Sequence, residues 1–317
     1  MRTALVGYTG FVGSTLTRAR GFDDMFNSRN IGDIAGQSYD MVVCAAAPAT
    51  MWAANQNPAA DKANLDGLFA ALRLAKTEHF VLISTIAVLD NAAAGYTEAN
   101  AAFESEKAYG LHRRELEERV ESHFANSHIL RLPALFGPGI KKNFVFDLMN
   151  PAPSFIKPDV WEKTLANLSA EDAALLGRYY ALDEGLGMWG LNRVALNGSQ
   201  DRENVNAIFH QINFVARNFT NSETRFQYYN MERLADNIDQ AVAAGIDTLN
   251  VCSQPLSAAE VCRELTGDTF VNTAPPLWVE DMRSIHAETF GGSGPYLFDR
   301  ESVLGDLKAF FAAEAGR

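Results

Sequence analysis

The sequence predicts an α/β protein with a doubly wound parallel sheet and a smaller, mostly helical second domain that is interleaved with the first. Two observations carry this prediction. Apolar strands alternate with amphipathic helical patterns from the N-terminus to Gly139, which is typical of a parallel sheet covered on both faces. The first strand also runs directly into three glycines at three-residue spacing, Gly7, Gly10 and Gly13, and these open a helical pattern.

The amino-acid composition limits the classes of protein to which the chain can belong. The chain has 317 residues, of which 47% are hydrophobic, enough for one large or two merged domains. Its net charge of -12 argues against nucleic acid as a partner, because that binding depends mainly on neutralising phosphates. No apolar run reaches the length of about 18 residues that a membrane span needs, so we expect no membrane partner.

Cysteine and histidine usage indicates neither disulfides nor a metal site. The three cysteines, Cys44, Cys252 and Cys262, are scattered and form no C-x-x-C motif, which is typical of a protein of the reducing cytoplasm. The six histidines show no metal-ligand spacing, and we therefore predict no metal. His112 is interpreted as a surface or groove-edge residue.

The glycine-rich segment predicts a strand, a tight turn and a helix that opens onto an anion site. Gly7 lets the chain turn, Gly10 leaves the backbone open to a pyrophosphate, and Gly13 lets the helix lie close to the strand. The free N–H groups and the positive end of the helix then hold the phosphates. We therefore predict dinucleotide binding here.

The second strand, predicted over residues 22–27, ends in a polar turn of Asn27, Ser28 and Arg29. A guanidinium pairs bidentately with a phosphate, so Arg29 favours the 2′-phosphate of NADP. A solvated turn arginine explains the same residues, and NAD therefore stays open. Asp33, shortly after this turn, is placed to approach the adenine amino group.

The third and fourth strands end in residues suited to a cofactor site. The third leads into Ala45, Ala46 and Ala47, whose small side chains let the backbone run close under a ligand. The fourth ends in the hydroxyls of Ser84 and Thr85, and ligands of open α/β sheets collect at the carboxyl ends of strands.

Two helices follow these strands. The first is predicted over residues 61–75, with Asn64 near its start in a position to support the active-site backbone. A long helix over residues 103–124 follows the fourth strand and carries Tyr109 and Arg113. These two residues are four apart, so they share one face of the helix.

The pattern changes beyond Gly139. A fifth strand at 128–132 exits into an irregular segment at 133–139, and residues 158–200 are mostly helical in pattern. A short strand at 248–252 could extend the sheet. We predict a dinucleotide-binding domain over 1–139, to which 205–252 returns, and a substrate domain over 140–204 and 253–317.

Taken together, these segments resemble the extended short-chain dehydrogenase/reductase family over almost the whole chain. The resemblance implies a Rossmann domain with a small substrate domain, and an NAD(P)-dependent epimerase, dehydratase or reductase of nucleotide sugars. The short segment around 31–34 is most similar to nucleotide-sugar 4-keto reductases. The residues that carry the resemblance are Gly7-x-x-Gly10-x-x-Gly13, Leu82-Ile-Ser-Thr-Ile-Ala-Val88, Tyr109-x-x-x-Arg113, Arg131-Leu-Pro-Ala-Leu-Phe-Gly-Pro-Gly139, and Tyr229-Asn-Met-Glu-Arg-Leu234 followed by Asn250-Val-Cys-Ser253.

The resemblance implies Thr85, Tyr109 and Arg113 as the catalytic residues. A phenol must lose about 3 pKa units, or about 4 kcal/mol, to exchange its proton near pH 7, and a nearby cation together with the positive charge of the nicotinamide can supply this. The family has lysine where this chain has Arg113. Arginine supplies the charge but does not deprotonate, so it cannot relay a proton as an ammonium can.

The predicted function is an NAD(P)-dependent oxidoreductase acting on a carbinol or ketone of a sugar or nucleotide sugar, with NADP favoured as cofactor. Two alternatives stay open: a nucleotide-sugar epimerase or dehydratase, and a non-catalytic NAD(P)-binding sensor or assembly protein. The family implies a homodimer built on the helices that contain Asp61 and Phe103. The predicted cofactor contacts are Gly7, Thr9, Gly10, Phe11, Val12, Gly13, Asn27, Ser28, Arg29, Asp33, Ile34, Ala45, Ala46, Ala47, Asn64, Ser84, Tyr109, Arg113 and Pro133. The predicted substrate contacts are Thr85, Lys141, Lys142, Asn143 and Arg225.

Overall fold

A central sheet of six parallel strands organises the chain. The computed structural model describes residues 1–315. In spatial order the strands are β12 (Thr248–Asn250), β5 (Ser127–Leu132), β4 (Lys76–Thr85), β3 (Ser38–Cys44), β1 (Thr3–Val6) and β2 (Asp24–Phe26). The strand at 248–252 therefore extends the sheet as predicted.

Helices cover both faces of this sheet, which makes the predicted doubly wound Rossmann architecture the observed one. The helices of this part of the chain are α1 (Phe11–Ala19), α2 (Met51–Gln56), α3 (Pro58–Leu72), α4 (Ala108–His123), α10 (Leu234–Ala243) and α12 (Arg300–Ala315). Alternate residues of β4 face opposite cores: Val81 and Ile83 pack in the core that includes α1 and α10, whereas Phe80 and Leu82 pack in the core of α3 and α4.

The chain divides into two compact units. The first unit comprises residues 1–140, 225–257 and the segment from 278 onward, and the second comprises 141–224 and 258–277. The first boundary lies one residue from the predicted one. The returning segment begins at Arg225 and not at 205, because Val205, Ile208 and Phe209 lie in the core of the second unit. The C-terminal segment lies in the first unit, where Phe310 of α12 packs on Phe136.

The first unit also contains two small sheets. One is parallel and pairs β6 (Ala134–Phe136) with β11 (Tyr228–Asn230); the other is antiparallel and pairs β10 (Arg225–Phe226) with β13 (Leu256–Ser257).

The second unit is mostly helical, but it also holds a three-stranded antiparallel sheet that the sequence pattern did not indicate. Its helices are α5 (Phe144–Met149), α6 (Pro158–Ala166), α7 (Ala170–Gly177), α8 (Arg193–Asn197), α9 (Arg202–Gln211) and α11 (Ala258–Thr266). The sheet has the order β7 (Phe155–Ile156), β9 (Met188–Leu191), β8 (Tyr180–Asp183). It packs through Trp189, whose ring stacks 5.1 Å from that of Trp161, so tertiary packing overrides the local helical pattern.

Among residues 1–315, no helix combines the length and the apolar character needed to cross a membrane.

Candidate active site

The strand–turn–helix at the N-terminus forms a bare backbone cradle. Gly7 has φ +92° and donates its N–H to the carbonyl of Phe26 at 2.7 Å. A Cβ on Gly7 would lie 2.6 Å from the carbonyl oxygen of Ala45, and one on Gly13 would lie 2.1 Å from that of Gly7. Both positions therefore require glycine because backbones approach each other directly.

Gly10 has a different environment from its two neighbours. A Cβ there would meet only the Gly7 carbonyl, at an ordinary contact distance of 3.5 Å, and would otherwise project into open space. Gly10 is the N-cap of α1, and no side chain caps the helix. Thr9 and Gly10 are exposed, and Phe11 and Val12 are half-buried. The uncapped first turn and the open space in front of it fit a dinucleotide diphosphate.

The turn after β2 is held by its own hydrogen bonds. The Asn27 side chain donates to the Tyr8 hydroxyl at 2.9 Å and accepts the Arg29 N–H at 2.9 Å. The Asn30 side chain accepts the Asn27 N–H at 2.8 Å. Asn27 is therefore engaged in shaping the turn, whereas the side chains of Ser28 and Arg29 are exposed.

The two residues predicted to lie near the adenine, Asp33 and Ile34, differ in exposure. Asp33 is exposed on the short 3-10 helix Ile31–Ile34. Ile34 is fully buried in the core shared with α3 and α4, so its side chain is not available to a ligand. Its apolar side chain is used for packing beneath the turn.

The exits of β3 and β5 contribute small or buried residues. Ala45, Ala46 and Ala47 are half-buried, and Ala45 lies against the cradle at Gly7. Pro133, directly after β5, is buried.

The two hydroxyls at the end of β4 point to different partners. Thr85 accepts the Ala87 N–H at 3.2 Å and acts on the phenol of Tyr109 through a side-chain hydrogen bond. Ser84 instead donates to Glu117 at 2.5 Å. Because successive side chains of a strand face opposite sides, Ser84 does not share the position of Thr85, and its predicted cofactor contact is not supported.

Glu117, whose carboxylate accepts the hydrogen bond from Ser84, belongs to a buried ion pair under α4. Glu117 is 0% exposed and Arg131 is 2% exposed. Arg131 donates to Glu117 through its Nη2 at 2.8 Å, and Arg114 donates at 2.9 Å. This cluster joins α4 to the ends of β4 and β5 and so fixes the helix that carries the tyrosine.

Tyr109 is held at the start of α4 by contacts that the sequence did not indicate. Its N–H donates to the side chain of Asn55 at 2.9 Å. A Cβ on Gly110 would lie 2.1 Å from the carbonyl oxygen of Ala87, so the helix lies directly on the turn that follows Thr85. The predicted supporting asparagine, Asn64, is exposed on α3, and Asn55 binds the tyrosine backbone in its place.

Arg113 is almost fully buried and paired with Asp61 of α3. Its Nη1 and Nη2 donate to the two carboxylate oxygens at 2.7 and 2.9 Å. They also donate to the carbonyls of Tyr109 at 3.1 Å and Pro48 at 2.6 Å. The guanidinium lies 3.8 Å from the ring centroid of Tyr109. Its Nε is buried without an acceptor among the described residues.

The prediction that His112 lies at the surface or at a groove edge is wrong. It is 7% exposed, and its Nδ1 lies 2.8 Å from the Asp61 carboxylate. The pKa of Asp61 is lowered: burial opposes ionisation, but hydrogen bonds from Arg113 and His112 outweigh it. The arginine at position 113, where the family has lysine, was the sequence signal that could have indicated a carboxylate partner such as Asp61.

In the protein alone, the pKa of the Tyr109 phenol is raised and not lowered. Burial raises its pKa above the ordinary value, and the charge of Arg113 and the Thr85 hydroxyl offset only part of this rise. The negative charge of Asp61 adds to it. Arg113 therefore lowers the pKa of Tyr109 as predicted, but in the protein alone burial of the phenol outweighs this effect.

The predicted substrate contacts fall in both units. Lys141 and Lys142 are exposed at the beginning of the second unit. Asn143 has φ +105° and caps α5 by accepting the N–H groups of Val145 and Phe146. Arg225 is exposed in the first unit. Their role in substrate binding stays a prediction.

Solved structures of nucleotide-sugar enzymes share this fold over the whole chain. The dTDP-4-dehydrorhamnose reductase of Clostridium acetobutylicum is 15% identical with a TM-score of 0.61, and the match covers 99% of each chain. The UDP-N-acetylglucosamine 4-epimerase of Methanobrevibacter ruminantium, in complex with UDP-N-acetylmuramic acid, is 12% identical with a TM-score of 0.62, over 99% of this chain and 98% of that one. RMD of Pseudomonas aeruginosa, complexed with NADPH, is 14% identical with a TM-score of 0.60, over 100% of both chains.

The sequence itself matches no protein-family model and no curated protein sequence. The chain has the fold of extended short-chain dehydrogenase/reductase-type nucleotide-sugar enzymes, and the resemblance predicted from its motifs is confirmed at the level of the fold.

Proposed function

We propose that this protein is an NAD(P)-dependent oxidoreductase that acts on a ketone or carbinol of a sugar or nucleotide sugar, with reduction as its net reaction. The observation that supports this most is the arrangement of Tyr109 and Thr85. The phenol and the hydroxyl lie together at the carboxyl end of the same parallel sheet that presents the bare cradle of Gly7, Gly10 and Gly13. The shared fold with nucleotide-sugar reductases and epimerases supports the class of substrate.

The proposed chemistry divides between the cofactor and the chain. The nicotinamide, when bound, supplies the hydride. Thr85 orients the substrate oxygen by a hydrogen bond, and Tyr109 donates a proton to that oxygen. The uncapped first turn of α1 holds the diphosphate, and Arg29 holds the 2′-phosphate, which makes NADP the preferred cofactor.

The test is the variant Tyr109→Phe assayed with NADPH and a panel of dTDP- and UDP-4-keto sugars. We expect turnover to fall by about 100- to 10,000-fold, the usual contribution of a positioned general acid. NADPH affinity, measured by cofactor fluorescence, is expected to stay within about twofold because the diphosphate site is intact. Tyr39→Phe, a buried tyrosine of β3, is the matched control and is expected to keep full turnover.

One observation favours a non-catalytic NAD(P)-binding protein as the second candidate: the cation beside Tyr109 is already paired with Asp61. In that case NADPH binds, no keto sugar is turned over, and neither Tyr109→Phe nor Arg113→Lys changes the binding. Turnover that is lost in Tyr109→Phe excludes this candidate, and product stereochemistry then separates reduction from epimerisation.

A further inference from the structure

The ion pair between Asp61 and Arg113 links two helices beneath the tyrosine. Asp61 lies in the first turn of α3, and Arg113 lies one turn after Tyr109 on α4. Both side chains are nearly inaccessible to solvent, at 4% and 3% exposure. The carboxylate receives two parallel N–H···O bonds, the geometry in which an arginine and a carboxylate are held most specifically.

This pair changes the charge that the tyrosine experiences. A lone guanidinium beside a phenol would favour the phenolate, but here the opposite charge lies less than 3 Å from the guanidinium. The Pro48 and Tyr109 carbonyls accept two further donors of Arg113, so the guanidinium is held in one orientation. His112 binds the same carboxylate from the α4 side.

Few charged or polar groups surround Tyr109 on the neighbouring helices and strands. Arg113 and Asp61 are the charged groups that act on its phenol, from α4 and α3. Thr85 faces it from the end of β4, and Asn55 of α2 binds its backbone; both are neutral. Glu104 packs near Gly110, and its carboxylate accepts the N–H groups of residues 106 and 107.

We propose that Asp61 is a positioning residue that holds Arg113 beside Tyr109, offsets part of its charge, and so helps to keep the phenol in the protonated form that donates its proton in ketone reduction. This rests on the proposed function for its catalytic consequence. In the reduction the carbonyl carbon receives a hydride from bound NAD(P)H and the carbonyl oxygen receives the phenol proton. Tyr109 is left as a phenolate, which then regains a proton from water.

The direct test is the titration of Tyr109 in the cofactor-free protein, followed by NMR of 13Cζ-labelled tyrosine and assigned with Tyr109→Phe. Asp61→Asn removes the charge that offsets Arg113, so we expect the Tyr109 midpoint to move down, by about half a pH unit or more. Asp66→Asn is the matched control, because Asp66 also pairs an arginine across α3 and α4, with Arg119 at 2.5 Å. It is expected to leave the midpoint unchanged.

A double variant keeps the proposal testable if Asp61→Asn does not fold. Asp61→Asn combined with Arg113→Gln removes both charges together. Because Arg113 lowers the pKa of Tyr109 more than Asp61 raises it, we expect a midpoint at or above that of the wild type. A midpoint below that of the wild type in the double variant would show that Asp61 does not act by offsetting Arg113, and it would overturn the proposal. An unchanged midpoint in folded Asp61→Asn, or an equal shift in Asp66→Asn, would do the same.

The pH dependence of the reduction rate is a second measurement, and a purely structural role of Asp61 would not change it. The reduction rate falls above the pH at which Tyr109 ionises, and in Asp61→Asn this alkaline limb should move down by the same amount as the NMR midpoint. If Asp61→Asn lowers the melting temperature but leaves the alkaline limb of the pH–rate profile unchanged, the proposal is contradicted. The NMR titration needs neither substrate nor cofactor, so it decides the effect of Asp61 even if the proposed enzyme activity fails.

Discussion

Arg29 is the side chain on which the proposed preference for NADP depends. Its backbone is fixed by the Asn27 side chain, and its guanidinium is exposed in the turn that follows β2. Acidic side chains at the end of this strand typically bind the ribose hydroxyls of NAD, and here the turn offers Asn27 and Ser28 instead. A guanidinium in this place suits a phosphate group because it donates two parallel hydrogen bonds.

Arg29→Ala should therefore weaken NADPH much more than NADH. Hydrogen bonds between charged groups contribute about 1.5–3 kcal/mol, and each 1.4 kcal/mol is about tenfold in affinity, so we expect the Kd for NADPH to rise about tenfold or more. The Kd for NADH should change by about twofold or less. Arg73→Ala, at an exposed arginine at the end of α3, is the control for lost surface charge. Equal weakening of both cofactors would show that Arg29 is a solvated turn residue.

At the level of secondary-structure elements, β1, its glycine turn and α1 form one unit with two different kinds of glycine. Gly7 and Gly13 lie where backbones meet, at distances that leave no space for a Cβ. Gly10 has ordinary backbone angles, φ -76° and ψ 171°, and space in front of it. Gly7 and Gly13 are therefore needed for the fold, whereas the space in front of Gly10 suits its proposed contact with the diphosphate.

Alanine variants at Gly10 and Gly13 should separate these two roles. In Gly13→Ala the new methyl must displace backbone, so we expect a loss of about 1–3 kcal/mol or more in the free energy of unfolding. In Gly10→Ala we expect a change of about 1 kcal/mol or less, together with a loss of at least about tenfold in NADPH affinity. Denaturant unfolding and fluorescence titration measure the two quantities. Wild-type NADPH affinity in Gly10→Ala would contradict the cradle as the diphosphate site.

For the molecule as a whole, the buried His128 of β5 and its half-buried neighbour His79 of β4 should make stability depend on pH. His128 is 3% exposed; its Nε2 lies 3.1 Å from Nδ1 of His79, and its Nδ1 lies 2.8 Å from the Ile246 carbonyl oxygen. Burial lowers the pKa of His128, and His79 lowers it further. The unfolded chain therefore binds a proton more readily than the folded chain below about pH 6.5.

Stability should accordingly fall as the solution is acidified through this range. Because the folded pKa is lowered, the contribution of His128 is complete above about pH 6.5 and is lost toward lower pH, at up to about 1.4 kcal/mol per pH unit. Glu280 contributes the opposite slope, because burial raises its pKa to about 7. The measurement therefore compares variant and wild type: in His128→Gln the free energy of unfolding should depend less on pH between about pH 7 and 5 than in the wild type. The exposed His210→Gln should not.

The dimer through α3 and α4 stays a prediction at this scale. The exposed sides of these helices carry cross-helix ion pairs, Asp66 with Arg119 and Lys62 with Glu115.

The sequence by itself determined the succession of strands and helices of the sheet and the three glycines of the cradle. These follow from periodicity and short spacings, which are local properties of the chain. The pairing of Thr85 with Tyr109 was implied by the family resemblance. Only the tertiary structure decided which polar groups pair across helices and strands: Arg113 with Asp61, 52 residues away, and Ser84 with Glu117, 33 residues away. Such pairs form because buried charges and hydroxyls must find partners wherever packing places them, and no local pattern encodes that distance.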